Sequence, residues 1–136
     1  MAPKAAKISV LVVDDDPMIR ELLELLLSGA GYRVVTAQGG GEAVVAAVES
    51  NPDMMILDIN MPEIDGFAVL AALTDFALPR PPLTIVLTAR YAVQDVDRAL
   101  ALGASDYLTK PFSNKQFLDR VGRLSKQLEE LPKEPD

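Results

Sequence analysis

Carboxylates, one hydroxyl and one lysine are the residues of this chain whose types and placing could do chemistry. Asp14, Asp15 and Asp16 stand together in "LVVDDDPM"; Asp58 closes "MMILD", Thr88 closes "LTIVLT", and Lys110 follows "DYLT". Three adjacent like charges at the end of an apolar run need a counter-charge. Carboxylates without histidine make a hard, oxygen-rich site. That suits Mg²⁺, which keeps several waters and takes one or two carboxylates plus phosphate oxygens. Such an ion would neutralise the cluster. With Lys110 as a further positive charge and Thr88 as a hydroxyl donor, the set could grip a phosphoryl group. A carboxylate can also be the nucleophile, giving an aspartyl phosphate.

Composition removes most rival chemistries. The chain has no cysteine, so disulfides and thiolate metal sites are excluded. It has no histidine, which removes the commonest general base, the commonest transition-metal ligand and the catalytic triads. Its 136 residues, 49% of them hydrophobic, suit one domain with a real core. A net charge of −7 argues against nucleic acid as a direct partner. No apolar stretch approaches the roughly 20 residues that span a bilayer, and "MAPKAAK" leads into no signal-peptide core. The expectation is a soluble, cytoplasmic protein with no membrane role.

The elements that must position these residues can be read from periodicity. "ISVLVV" (8–13), "MMIL" (54–57) and "LTIVL" (83–87) are short, β-branched and non-alternating, as strands buried on both faces are. "RVVTA" (33–37) is a weaker strand and "DYLT" (106–109) a fifth. Pro17 opens a helix in which Ile19, Leu22, Leu23, Leu26 and Leu27 recur at helical spacing until "SGAG". Further helices are expected over 41–50, from near Gly66 to before "LPRPP", over about 94–102, and from an N-capping Ser113 to about Leu131. Five strands alternating with five helices imply right-handed crossovers and an open parallel sheet covered on both faces. In such a sheet every strand C-terminus lies on one edge, where ligands bind. Asp14, Asp15, Asp58, Thr88 and Lys110 all fall on that edge.

The four segments "VVDDD", "LDINMPEIDG", "LTA" and "DYLTKPF", in that order, resemble the receiver domain of two-component response regulators, including the stand-alone chemotaxis regulator. The likeness covers about 8–128 and implies a flavodoxin-like α/β fold with strand order 2-1-3-4-5. It implies that Asp58 is the phosphoacceptor and that Asp15 binds Mg²⁺ directly, Asp14 mainly through water, with Asp58 and the backbone carbonyl of Asn60 completing the metal site. Lys110 and Thr88 would hold the phosphoryl group, and Thr88 and Tyr107 would be the switch pair. Ala89 belongs to the same constellation, as does Pro111, whose peptide bond with Lys110 is expected to be cis. The implied partners are a sensor histidine kinase or a histidine phosphotransfer protein, and a downstream protein target on the face of helix four, strand five and helix five. The chain is expected to assist its own phosphotransfer and dephosphorylation without being an enzyme in the ordinary sense.

Plainer roles remain for several residues. Asp16 reads as a helix N-cap beside Pro17, not a ligand. Asp65-Gly66 reads as a turn and nothing more. Arg90, two residues after Thr88, is a long cation positioned to affect hydrolysis of a phosphoaspartate. Phe117, Val121, Leu124, Leu128 and Leu131 form a heptad seam; Leu128 and Leu131 are expected to project beyond the sheet and to invite a homodimer. Other functions compete. A haloacid-dehalogenase-like phosphatase would use Asp14, but Met18 stands where its motif has Thr or Val. An inactive pseudo-receiver would lack a site residue, and none is missing. A flavin-binding role finds no phosphate-cradling loop after strand one, since "GGG" (39–41) more simply starts a helix. The whole of 1–136 is read as one domain with core about 8–128 and frayed ends at 1–7 and 132–136, either working alone or as a piece of a longer regulator.

Overall fold

The three apolar runs become the centre of one parallel sheet. The computed structural model describes residues 7–76, 78–90 and 92–130. Its elements alternate strictly: β1 (Ser9–Val13), α1 (Pro17–Gly29), β2 (Arg33–Ala37), α2 (Gly40–Ser50), β3 (Met54–Asp58), α3 (Gly66–Asp75), β4 (Leu83–Thr88), α4 (Val93–Ala101), β5 (Asp106–Thr109) and α5 (Asn114–Glu129). The sheet order is β2-β1-β3-β4-β5, and every pairing is parallel. The expected fold class and strand order are both observed.

Successive residues of a strand point to opposite faces, so each central strand feeds two cores. Leu11, Val13, Met55, Leu57 and Val86 pack on one face with α2, α3 and α4, through Ala47, Phe67, Leu70 and Ala99. Val10, Val12, Met54, Ile56, Ile85 and Leu87 pack on the other with α1 and α5, through Leu23, Leu27, Phe117, Val121 and Leu124. Burying each such large side chain contributes about 1.5–3 kcal/mol. This is why β1, β3 and β4 carry no polar alternation. β2, at the sheet edge, is exposed at Arg33 and Val35, half-buried at Val34 and Thr36 and buried only at Ala37, and it read as the weaker strand for that reason.

Local chemistry sets the helix ends. Asp16 caps α1, its Oδ1 accepting from the Met18 N–H at 2.9 Å, with Pro17 in the first turn. Ser113 caps α5 in a reciprocal box with Gln116. Gly103, at φ 108°, takes the left-handed backbone that lets the chain leave α4 for β5.

One expectation for α5 changes. α5 ends at Glu129, and Leu131 lies outside the described residues. Leu128 does not project: it is half-buried against the α1/α5 core. The spacing of Phe117, Val121, Leu124 and Leu128 is that of a helix packed on its own sheet, and these four side chains are turned to the domain's own core. The ends expected to fray lie outside the described residues apart from Lys7, which is exposed.

Candidate functional site

The parallel register carries the polar residues to one rim. Val13 pairs with Leu57, Asp58 with Leu87 and Thr88 with Thr109. Asp14 and Lys110 each follow their strand directly. Residues scattered over most of the sequence are thereby gathered at the C-terminal edge of β1, β3, β4 and β5.

Asp14 is 1% exposed and Asp58 5%, an unusual depth for carboxylates. Each is accounted for. Asp14 Oδ1 accepts from the Asp16 N–H at 2.9 Å, and its Oδ2 accepts from Lys110 Nζ at 3.0 Å. Asp58 Oδ1 accepts from the Asn60 N–H at 3.3 Å, and its Oδ2 lies 3.6 Å from Lys110 Nζ. Lys110 therefore bridges the two buried acids. Asp15 is exposed, yet oxygens of Asp14, Asp15 and Asp58 all lie within 4.8 Å of one another. Three carboxylates against one ammonium leave a surplus of two negative charges when all are ionised. A small dication with oxygen preference matches that surplus and spacing, so the residues fit Mg²⁺. Asp16 stays out of the cluster at its cap.

The electrostatics reflect this crowding. The Asp58 carboxyl is pushed up from 3.8 to about 6; burial raises it most, the Lys110 charge pulls it back, and Asp14 pushes it up again. For Lys110, burial alone would lower the ammonium, but the hydrogen bond to Asp14 and the charges of Asp58 and Asp14 outweigh it and leave it raised.

Thr88 is fully buried. Its Oγ1 accepts from the Arg90 N–H at 3.2 Å. Half-buried Tyr107 donates its hydroxyl to the Arg90 carbonyl at 2.7 Å, and its pKa is raised by burial and then by Asp95, against Arg90. The two proposed switch residues thus meet at the backbone of Arg90. Ala89 is exposed beside them, and Pro111 is exposed beyond Lys110; the Lys110–Pro111 peptide is cis.

Asp65-Gly66 is more than a turn. Asp65 caps α3 by accepting from the Ala68 N–H at 2.9 Å. Gly66 is buried where any Cβ would stand 2.6 Å from the Asp58 carbonyl oxygen and 2.8 Å from Ile59 Cα. Its N–H also donates to the Ile59 carbonyl at 2.9 Å. A glycine opening a helix after a good cap was the available signal, because glycine is a poor helix former and needs a reason to be there. Phe67, read only as part of an apolar pattern, proves to lie beneath two guanidinium groups: Arg98 Cζ is 4.0 Å from its ring centroid and Arg90 Cζ 5.7 Å.

A parallel 2-1-3-4-5 sheet with an acid-and-lysine rim defines a class of open α/β domain that takes its ligand at the strand ends. The sequence profile described as "Response regulator receiver domain" matches residues 10–122, and the chain belongs to that family. Among curated proteins it is 45% identical over 112 residues to the transcriptional regulatory protein KdpE of Mycobacterium tuberculosis, covering 82% of this chain and 48% of that one. It is 37% identical over 123 residues to the DNA-binding dual master transcriptional regulator RpaA of Synechocystis, covering 90% and 51%. The chain thus spans about half the length of these relatives. Among solved structures it resembles the chemotaxis protein CheY4 of Vibrio cholerae, with TM-score 0.82, 33% identity and coverage of 88% and 99%. It also resembles the receiver domain of the Francisella response regulator 1452, with TM-score 0.81, 32% identity and coverage of 90% and 99%. The domain is therefore a phosphorylation-dependent signalling module of the two-component type, and the phosphatase and flavin readings have no support. Among the described residues, no helix is long and apolar enough to cross a membrane.

Proposed function

We propose that Asp58 is the phosphoacceptor, receiving its phosphoryl group from a phosphohistidine on a sensor kinase or a histidine phosphotransfer protein. The observation that carries this reading is the position of Lys110 Nζ, 3.0 Å from Asp14 and 3.6 Å from Asp58, over two buried acids at the strand ends. An Asp58 carboxylate oxygen forms the new bond to phosphorus. The bond from phosphorus to the partner's imidazole nitrogen breaks, and its electron pair leaves with the imidazole. Lys110 and the Thr88 hydroxyl hold oxygens of the transferred group. Asp14, Asp15, Asp58 and the carbonyl of Asn60 would hold Mg²⁺, which when bound supplies the positive charge that offsets the phosphoryl oxygens. Catalysis in this sense is alignment plus charge stabilisation by the domain's own groups, with no enzyme turnover of an outside substrate. Lacking histidine, the chain cannot be the phosphodonor.

The raised pKa of Asp58 fits a cation-binding site, since a buried acid facing Asp14 and Asp15 holds its own charge poorly. Output runs through Thr88 and Tyr107 to the face of α4, β5 and α5, either to a separate protein or to further segments of a longer regulator such as the transcriptional relatives. The domain itself carries net charge −7, which disfavours direct contact with nucleic acid. Its place of work is the cytoplasm. The test is transfer from a purified phosphotransfer protein carrying labelled phosphohistidine: label should pass to the wild type and not to Asp58→Asn. Equal labelling of both would remove Asp58 from the role.

A further inference from the structure

We infer that Arg98 is a positioning residue for phosphoryl binding, acting through a cation–π anchor on Phe67 that holds the loop bearing Arg90. This inference rests on the reading of the rim as a phosphoryl site and adds a residue remote from it.

The argument begins at Gly66. Because a Cβ at this position would meet backbone of Asp58 and Ile59 at 2.6 and 2.8 Å, the start of α3 is seated on the end of β3. Phe67, the next residue, is 1% exposed and shares its core with Leu57 and Val86. Its ring is thus fixed relative to Asp58. Arg98, on α4, places its guanidinium 4.0 Å from that ring centroid. Arg90, in the loop between β4 and α4, reaches the same ring at 5.7 Å and pairs with Asp95 in the first turn of α4, Nε to Oδ2 3.7 Å. The connection from Thr88 into α4, through Arg90, and the last turn of α4, through Arg98, are therefore referred to one ring. A guanidinium over an aromatic face gains electrostatically from the ring quadrupole, the more so when partly dehydrated.

What the anchor holds is the backbone of Arg90, and that backbone holds both switch residues. Its N–H donates to Thr88 Oγ1 at 3.2 Å, and its carbonyl accepts from the Tyr107 hydroxyl at 2.7 Å. With its oxygen occupied as acceptor by Arg90, the Thr88 hydroxyl is oriented so that its proton is free to donate to a phosphoryl oxygen. A loop free to drift would lose that orientation. Arg98 therefore lowers the reorganisation needed when the phosphoryl group arrives, while touching neither that group nor the metal ligands. Arg98 is itself exposed, so removing it leaves no buried charge without a partner.

The anchor predicts a split between two affinities. Beryllofluoride, a phosphoryl mimic, is titrated calorimetrically into the Mg²⁺-saturated protein, and Mg²⁺ alone into the metal-free protein. Arg98→Ala should weaken beryllofluoride binding about three- to tenfold, the range expected for a single cation–π contact, with Mg²⁺ affinity unchanged. Arg98→Lys should recover part of the loss, because an ammonium still favours the ring face. Phe67→Leu should reproduce the loss if it folds; Arg98→Ala decides alone if it does not. Wild-type beryllofluoride affinity in Arg98→Ala would overturn the inference while leaving the phosphoryl site intact. Equal weakening of Mg²⁺ and beryllofluoride would assign Arg98 a merely structural role. A wild type that binds no beryllofluoride would remove the phosphoryl-site reading and this inference with it.

Discussion

Asp58 carries the sharpest consequence of packing acids at a strand end. Its carboxyl titrates near 6 in the fold against 3.8 ordinarily, so its ionised form is disfavoured by folding. The penalty is complete above about pH 6, shrinks as pH falls, and is gone below about 3.8. At roughly 1.4 kcal/mol per pH unit, it amounts to about 3 kcal/mol. The amide that replaces the carboxyl in Asp58→Asn does not titrate. In metal-free buffer this variant should be more stable than wild type at pH 8, by up to about 3 kcal/mol in urea unfolding. That advantage should fade between about pH 6 and about pH 4. An advantage unchanged over that range would show that burial of the ionised acid costs the fold nothing. The chemistry at this scale was legible in the sequence because acids, a hydroxyl and a lysine each followed an apolar run. The depth of Asp14 and Asp58 was not, because burial depends on what α1, α3 and the β5–α5 connection place above the rim.

At the scale of elements, the alternation of buried runs with helical spacing dictated both the sheet and its covering. The strands fell where β-branched runs stood, and Asp16 and Ser113 capped helices as their side chains allow. The expectation that Leu128 projects failed for a physical reason. A 4, 3 spacing of apolar residues is shared by a coiled-coil seam and by a helix lying on a sheet, and Leu128 is held against the domain's own core. Gly66 was under-read because the contact that requires glycine, the carbonyl of Asp58 at 2.6 Å from any added Cβ, joins parts of the chain that only the fold brings together. Gly66→Ala tests that contact. Since backbone rather than a flexible side chain stands in the way, α3 must shift from β3, and the substitution should cost about 1–3 kcal/mol. Phosphorylation should slow with it, because the contact that is disturbed is with the backbone of Asp58 itself. A variant as stable and as fast as wild type would mean the α3 start adjusts freely.

For the molecule as a whole, the acid cluster couples fold stability to a cation. Ligands that bind only the folded state stabilise it by mass action, about 2.7 kcal/mol at one hundred times the dissociation constant. Millimolar Mg²⁺ should therefore raise the melting temperature over EDTA at matched ionic strength. Asp15→Ala should abolish most of that gain and Asp14→Ala less of it. Equal melting temperatures in wild type with and without Mg²⁺ would contradict the metal site. The central claim is that one buried carboxylate, out of all the acids gathered on this rim, takes the phosphoryl group. Intact mass and peptide mapping after incubation with acetyl phosphate and Mg²⁺ measure it most directly. The expected result is one added phosphoryl group per chain, mapped to Asp58 and absent from Asp58→Asn. A single phosphoryl group carried equally well by Asp58→Asn, or mapped in the wild type to Asp14 or Asp15, would contradict the account.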